Sequence, residues 1–267
     1  MSRTVAIGGL GATGLPLARA LDAGVEGLRL VAVAARDQDR ARATVAGFRS
    51  VPRVVALDAL AEADIVVEAA PAAVFPQIAE PAIAAGRVLV PASVGALLPR
   101  MDLVARARET GARIVVPTGA LLGFDAVRAA AEGHVARVAI ETRKPPAGLA
   151  GAPHLEKHGI EVTGITEPLL VFEGNARDAA AGFPANVNVA AALALAGIGP
   201  ERTEVAIWAD PMLERNTHTI RVEADAARFT MTIENVPTPG NPRTGQLTPL
   251  SMLACLRGLV STLKVGS

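Results

Sequence analysis

The start of the chain constrains its fold most. Residues 4–24, TVAIGGLGATGLPLARALDAG, run from an apolar strand through a glycine turn into a helix with Leu15, Ala18 and Leu21 on one face. Gly9, Gly11 and Gly14 fit the spacing G-x-G-x-x-G. In such a turn the first glycine allows a tight bend, the second lets the backbone approach a pyrophosphate, and the third lets helix and strand pack closely. The helix N-terminus adds free N–H groups and the positive end of a dipole. Gly9, Gly11, Ala12, Thr13 and Gly14 are therefore expected to hold a dinucleotide.

The segments that follow alternate as a parallel sheet requires. The apolar runs LRLVAVAAR, RVVAL, ADIVVEAAP, RVLVPASVGAL and ARIVVPTGAL read as strands, interleaved with the helical patterns DQDRARATVAGF, AVFPQIAEPAIAAG and PRMDLVARARETG. Near-continuous Val, Ile and Leu means burial on both faces, which crossover helices provide. Residues 1–118 are thus predicted to form a Rossmann-type, doubly wound parallel sheet. Ligands of such sheets bind beyond the carboxyl ends of the strands. That places Ala70 and Pro71, Ser93 and Ala120 among the expected cofactor-binding residues.

The end of the second strand bears on which dinucleotide. A NAD site usually offers Asp or Glu to the ribose roughly 20 residues after the glycines. Here Ala34 and Ala35 precede Arg36, a guanidinium suited to a 2′-phosphate, although Asp37 could reach a ribose. The expectation is NADP or NAD, with NADP slightly favoured through Arg36.

Composition narrows the partners. Of 267 residues only 3% are aromatic, with one Trp and no Tyr, which leaves little on which to stack bases. The 26 basic and 26 acidic residues balance, so no field recruits polyanions or anionic lipid. Neither nucleic acid nor membrane is an expected partner. Cys255 is the single cysteine, which excludes an internal disulfide and a cysteine-built zinc site. Apolar runs such as VNVAAALALAGIG stop short of a membrane span. A cytoplasmic protein is expected.

Beyond Ala120 the alternation stops. GFDAVRAAAEG reads as a helix, HVARVAIETRKPP as a long strand and GLAGAPHLEKHGIEVTGI as an irregular polar loop. PLLVFEG is a strand, NARDAAAGFPANVNVAAALALAG a pair of helices, and TEVAIWAD, THTIRVEA and ARFTMTIEN three more strands. This predicts a second α/β domain, residues 119–247, with a mainly antiparallel sheet packed on one face and free to face the cofactor on the other. VPTPGNPRTGQLTPL reads as a loop. A terminal helix, 248–264, is expected to be capped by Thr248 and to pack back on the first domain.

Several segments together resemble the L-aspartate dehydrogenase family over essentially the whole chain. They are GLGATG, DIVVEAA, SVGAL, PTGALLGFDAVRAA, TRKPP, FEGNARDAAAGFPANVNVAAALALAG, DPMLERNTHTI and NPRTGQLTPLS, the later ones being the more specific. The resemblance implies a Rossmann domain, an α/β substrate domain and NAD(P)-dependent interconversion of aspartate with iminoaspartate, or oxaloacetate plus ammonia. It implies His218 as the catalytic residue, with Asn188 and the turn at Ala120 contacting the nicotinamide end. Two positions depart from the family pattern. Ala35 stands where relatives often have an acidic residue, and Leu122 is bulkier than usual in the TGALLG turn.

The residues carry a chemical reading of their own. An imidazole near its unperturbed pKa of about 6.5 can manage protons on nitrogen and on water. His218 shares a strand face with Asn216 by alternation, so Asn216 is a substrate-binding candidate. A dicarboxylate needs cations, which Arg143 and Lys144 supply. Asn186 and Asn188 begin an apolar helix, where one can cap while Asn188 contacts the cofactor. His154 and His158, four apart, resemble half a metal site without a third ligand, so no metal is expected. A homodimer is expected. The alternatives are a related NAD(P)-dependent reductase of another imino or oxo acid, or a non-catalytic NADP-sensing protein.

Overall fold

The apolar runs in the first half of the chain form strands because each can be buried on both sides. The computed structural model describes residues 2–184, 187–238 and 241–266, without the side chains of 241–244. The chain divides into two units, Met1–Pro117 with Thr248–Ser267, and Thr118–Leu247. Among the described residues of the first unit, six strands make one parallel sheet. They are β1 (Arg3–Gly8), β2 (Leu28–Ala34), β3 (Arg53–Val54), β4 (Ile65–Glu68), β5 (Val88–Pro91) and β6 (Arg113–Ile114), in the order β3-β2-β1-β4-β5-β6. Val5, Ala6 and Ile7 of β1, and Ile65, Val66 and Val67 of β4, have no exposed surface. The order reverses between β1 and β4, where sheets of this kind open a crevice for ligands. This is the doubly wound, Rossmann-type sheet that the sequence predicts.

Helices α1 (Gly14–Ala23), α2 (Gln38–Val45), α3 (Phe75–Ala84), α4 (Val94–Leu97) and α5 (Asp102–Thr110) belong to the same unit. The buried stripe of α1 is Gly14, Leu17, Ala18 and Leu21, and Leu15 is only half-buried. Several predicted strands are shorter than expected, among them RVVAL, which is strand only over Arg53–Val54. RVLVPASVGAL is strand only as far as Pro91 and then turns into α4, and ARIVVPTGAL is strand only over Arg113–Ile114. Pro91 ends β5 by lacking a ladder donor, whereas β6 stops three residues before Pro117.

The second unit holds α6 (Phe124–Ala131), β7 (Val135–Lys144), α7 (Pro153–His158), β8 (Leu169–Asn175), α8 (Ala176–Gly182), α9 (Asn188–Ala196), β9 (Thr203–Ala209), β10 (Asn216–Ala224) and β11 (Arg228–Asn235). Its sheet runs β11-β10-β7-β9-β8, and the β7–β9 pair is parallel while the others are antiparallel. The sheet is therefore mixed, because the helices between β8 and β9 carry the chain back to enter beside β7 in the same direction. The expected irregular loop also contains α7, begun by Pro153 and ended by Gly159 at φ 62°. The expected loop before the last helix contains a short ribbon of β12 (Pro237–Thr238) and β13 (Asn241–Gly245).

One face of the mixed sheet is packed by helices. Val138, Ile140, Val205, Ile207, Ile220 and Val222 lie on it, each 2% exposed or less. Gly197, following α9, approaches so closely that a Cβ there would lie 3.2 Å from Val127 of α6 and 3.7 Å from Val138. The other face carries Glu141, Arg143, Trp208, Thr219 and Arg221, half-buried or exposed.

Helix α10 (Leu247–Gly258) completes the first unit's core. Met252 and Leu256 are fully buried in the cluster of Val5, Leu17, Leu21 and Leu30. The helix starts at Leu247, so Thr248 lies inside its first turn rather than capping it. Among the described residues no helix is long and apolar enough to cross a membrane.

Candidate active site

The glycine turn after β1 is shaped by contacts that only glycine tolerates. Gly9 has φ 99°, and a Cβ there would lie 2.4 Å from Ala69 O and 2.8 Å from Ala70 N. A Cβ on Gly14 would lie 1.9 Å from the Gly9 carbonyl oxygen, so the start of α1 rests directly on the turn. Gly11 differs, since a Cβ there would meet nothing within 4 Å. An open flank on an exposed turn fits the approach of a pyrophosphate, and Ala12 and Thr13 line the same turn half-buried. Thr13 is the N-cap residue of α1, with no side-chain capping bond.

The loop after β4 meets the turn, and the loop after β5 is joined to that loop through Glu68 and Ala70. Glu68, the last residue of β4, has no exposed surface. Its carboxylate accepts the Ala70 N–H at 3.0 Å, the Ser93 N–H at 2.9 Å and the Ser93 hydroxyl at 3.0 Å. Burial pushes the Glu68 carboxyl above the usual carboxylate range, opposed by those hydrogen bonds. Ser93 is itself buried, Ala70 half-buried and Pro71 exposed. Past β2, Arg36 is exposed, whereas Asp37 is committed to α2, whose Arg40 N–H it accepts at 2.9 Å.

In the second unit His218 lies on the packed face of the sheet, with Ile220 and Val222, and is 3% exposed. Its Nδ1 lies 3.0 Å from Oγ1 of Thr142, its register partner on β7. Burial first, and the Lys144 ammonium second, lower its pKa from 6.5 to about 3, so the imidazole is neutral near pH 7 rather than poised there. Asn216 is two residues before His218 on this face, half-buried and in register with Asn235. The Nδ2 of Asn235 donates to Ala120 O at 2.9 Å and so ties the TGALLG turn to the end of β11.

Strand alternation separates the two candidate cations. Lys144 is 5% exposed and shares the His218 face, whereas Arg143 points to the other. Arg143 there bonds Glu141 at 2.8 Å and Asp210 at 3.3 Å, with its guanidinium 4.6 Å from the Trp208 ring centroid. Asn188 is the half-buried first residue of α9, whose N-cap residue is Val187, so it does not itself cap the helix. Asn186 lies outside the described residues. His154 packs against His158, Phe172 and Phe183, with ring centroids 4.4, 5.2 and 5.3 Å away. Its pKa is lowered by burial and by the neighbouring His158 and Lys157.

Known proteins share both halves of this arrangement. Residues 9–117 match the NAD-binding domain of homoserine dehydrogenase, and residues 125–259 match the C-terminal domain of aspartate dehydrogenase. Over 264 residues the chain is 54% identical to L-aspartate dehydrogenase of Bradyrhizobium diazoefficiens, covering 98% of this chain and 94% of that protein. The chain belongs to the aspartate dehydrogenase family. Within the family it is also 51% identical to L-aspartate dehydrogenase 3 of Bordetella bronchiseptica, covering 98% of this chain and 97% of that one. A crystal structure of aspartate dehydrogenase from Thermotoga maritima matches with a TM-score of 0.75 at 26% identity, each chain covered in full.

Sequence reasoning missed three residues of this aspartate dehydrogenase scaffold: Glu68, Thr142 and Asn235. Glu68 had a signal, as a lone carboxylate inside an apolar strand. Thr142 and Asn235 had none, because their roles depend on strand register.

Two outcomes follow from this geometry. Gly11→Ala should fold with unchanged thermal stability yet bind nicotinamide dinucleotide more weakly, because its Cβ enters only the open flank. Gly14→Ala should cost roughly 1–3 kcal/mol of stability through overpacking. Thermal unfolding with and without NADH reads both, and a Gly11→Ala variant with unaltered binding would remove that flank from the cofactor site.

A third outcome concerns pH. The depressed His218 pKa means that the unfolded chain binds the extra proton between pH 6.5 and about 3. This share of stability is complete above about pH 6.5 and is lost as pH falls, by about 2 kcal/mol at pH 5. Urea unfolding at pH 8 and pH 5 should show a loss about 2 kcal/mol smaller in His218→Gln than in the unaltered chain. Equal losses would mean that the imidazole titrates normally.

Proposed function

We propose that the chain is an NAD(P)-dependent L-aspartate dehydrogenase, interconverting L-aspartate with iminoaspartate, or with oxaloacetate plus ammonia. The full-length match to proteins named L-aspartate dehydrogenase, at 54% identity over 98% of this chain, carries the reading. In the first unit Gly9, Gly11, Ala12, Thr13, Gly14, Arg36, Ala70, Pro71 and Ser93 would hold the dinucleotide, and Ala120 and Asn188 in the second would serve its nicotinamide end. When bound, the cofactor supplies two-electron redox chemistry at the α-carbon of the amino acid.

The remaining work is proton and charge management by the second unit. In this reading the Nδ1 proton is donated to Thr142 Oγ1, which leaves the lone pair on Nε2. That atom takes a proton from the water attacking the imine carbon, and in reverse returns it to the departing hydroxyl. The resting imidazole is a poor base partly because Lys144 is cationic and close. A substrate carboxylate paired with Lys144 offsets that field and raises the basicity of His218 when substrate is present. In this reading Lys144, which shares the His218 face, holds a carboxylate together with Asn216, whereas Arg143 bonds Glu141 and Asp210 on the other face. A cytoplasmic location and a homodimer, formed through the sheet face bearing Thr219 and Arg221, accompany the reading.

NADPH is the favoured cofactor. Ala35 offers the ribose no carboxylate, Asp37 is occupied in capping α2, and Arg36 is exposed to meet a 2′-phosphate. Arg36→Ala should raise the KM for NADPH much more than that for NADH, and equal effects on both would assign Arg36 to solvent.

Initial rates of NADH and NADPH oxidation with a panel of 2-oxo acids plus ammonia test the activity. Oxaloacetate should be the preferred acid, and another preferred acid would point to a related reductase. No turnover despite cofactor binding would favour the sensing protein. His218→Asn should lower kcat by about 10²- to 10⁴-fold with little change in cofactor affinity. A folded variant keeping a third of the activity would remove His218 from the chemistry.

A further inference from the structure

We infer that Glu68 is a positioning residue of the cofactor cradle, its buried carboxylate fixing the loops at the carboxyl ends of β1, β4 and β5 relative to one another. The inference rests on the reading above that a nicotinamide dinucleotide binds at those ends.

Three observations carry it. The first is the cost of the group. Glu68 is fully buried at the end of a strand whose other residues are Ile65, Val66 and Val67, where an apolar side chain would pack without desolvating a charge. The second is what the carboxylate holds. It accepts the Ala70 N–H and the Ser93 hydroxyl on Oε1 and the Ser93 N–H on Oε2, joining the β4 loop to the β5 loop. Two oxygens that only accept can satisfy three such donors; a neutral amide of the same shape cannot. The Ser93 hydroxyl also lies 3.3 Å from Ala70 O, so both polar groups of Ala70 meet this cluster.

The third observation links the clamp to the glycine turn. The peptide between Ala69 and Ala70 is the surface against which Gly9 packs, with room for no side chain. The Ala69 N–H also donates to Gly8 O at 2.8 Å. Gly14 in turn rests on the Gly9 carbonyl. Tilting the Ala69–Ala70 peptide would therefore shift the turn and the start of α1 together. Glu68 touches no cofactor in this account; it sets the backbone that does.

Glu68→Gln and Glu68→Asp test the inference, read by NADH and NADPH dissociation constants from nicotinamide fluorescence, by thermal unfolding, and by KM and kcat. Glutamine keeps the shape but turns one acceptor into a donor, leaving the Ala70 or the Ser93 N–H without an acceptor. The folded Glu68→Gln variant should bind both cofactors at least tenfold more weakly, with kcat at saturating cofactor within about twofold of the unaltered chain. A merely structural defect would instead lower kcat through a smaller active fraction and leave the dissociation constants unchanged; that result overturns the inference. Should Glu68→Gln not fold, Glu68→Asp decides alone, because it keeps the carboxylate but draws it back from the Ala70 and Ser93 donors. A dissociation constant raised threefold or more supports the clamp, and an unchanged one overturns it. Failure of the cofactor reading itself is distinguishable, since the unaltered chain would then bind neither NADH nor NADPH.

Discussion

The peptide joining Ala69 to Ala70 can lie where it does only because residue 9 carries no side chain. A single Cβ at Gly9 would collide with three atoms of that peptide, and its φ of 99° is one that other residues rarely adopt. From this contact the first unit can be traced outward. The turn stays tight, its carbonyl meets Gly14, and α1 begins close against β1. The strand order reverses between β1 and β4, so the same contact lies where the sheet opens for a ligand. Glu68 holds the far side of the peptide through the Ala70 N–H.

Burying Glu68 and burying His218 are two versions of one physical trade. Each removes an ionisable group from water, and each shifts toward its neutral form, upward for the carboxyl and downward for the imidazole. The difference lies in their partners. Glu68 sits among donors that oppose the shift, whereas His218 sits near a cation that reinforces it. A carboxylate so surrounded is suited to holding backbone in place. An imidazole kept neutral beside an ammonium is suited to respond when an anion arrives.

Adjacent residues on a strand can take unrelated jobs. Arg143 and Lys144 look interchangeable in the segment TRKPP, yet one braces Glu141, Asp210 and Trp208 while the other lies buried on the His218 face. Asn216 and His218, two apart, do share a face as the period of two requires. Alternation is a local property, so it survives from sequence to structure. Which of the two faces becomes buried does not.

The sequence by itself determined the parallel sheet, the glycine turn and the family, because these depend on local spacing and on runs of Val, Ile and Leu that only burial on both faces explains. It also placed Arg36 directly after Ala35, at the end of β2. Tertiary structure alone decided the rest. The β7–β9 pair is parallel because β9 enters beside β7 after a crossover, which no window of residues reports. His218 faces the core because helices from elsewhere in the chain cover that side, and its register with Thr142 spans 76 residues. Asp37 accepts the Arg40 N–H at the start of α2, and Glu68 finds its donors because Ser93, distant in sequence, arrives beside it. Local chemistry fixes what a residue can do, and long-range packing selects which of those abilities has a partner.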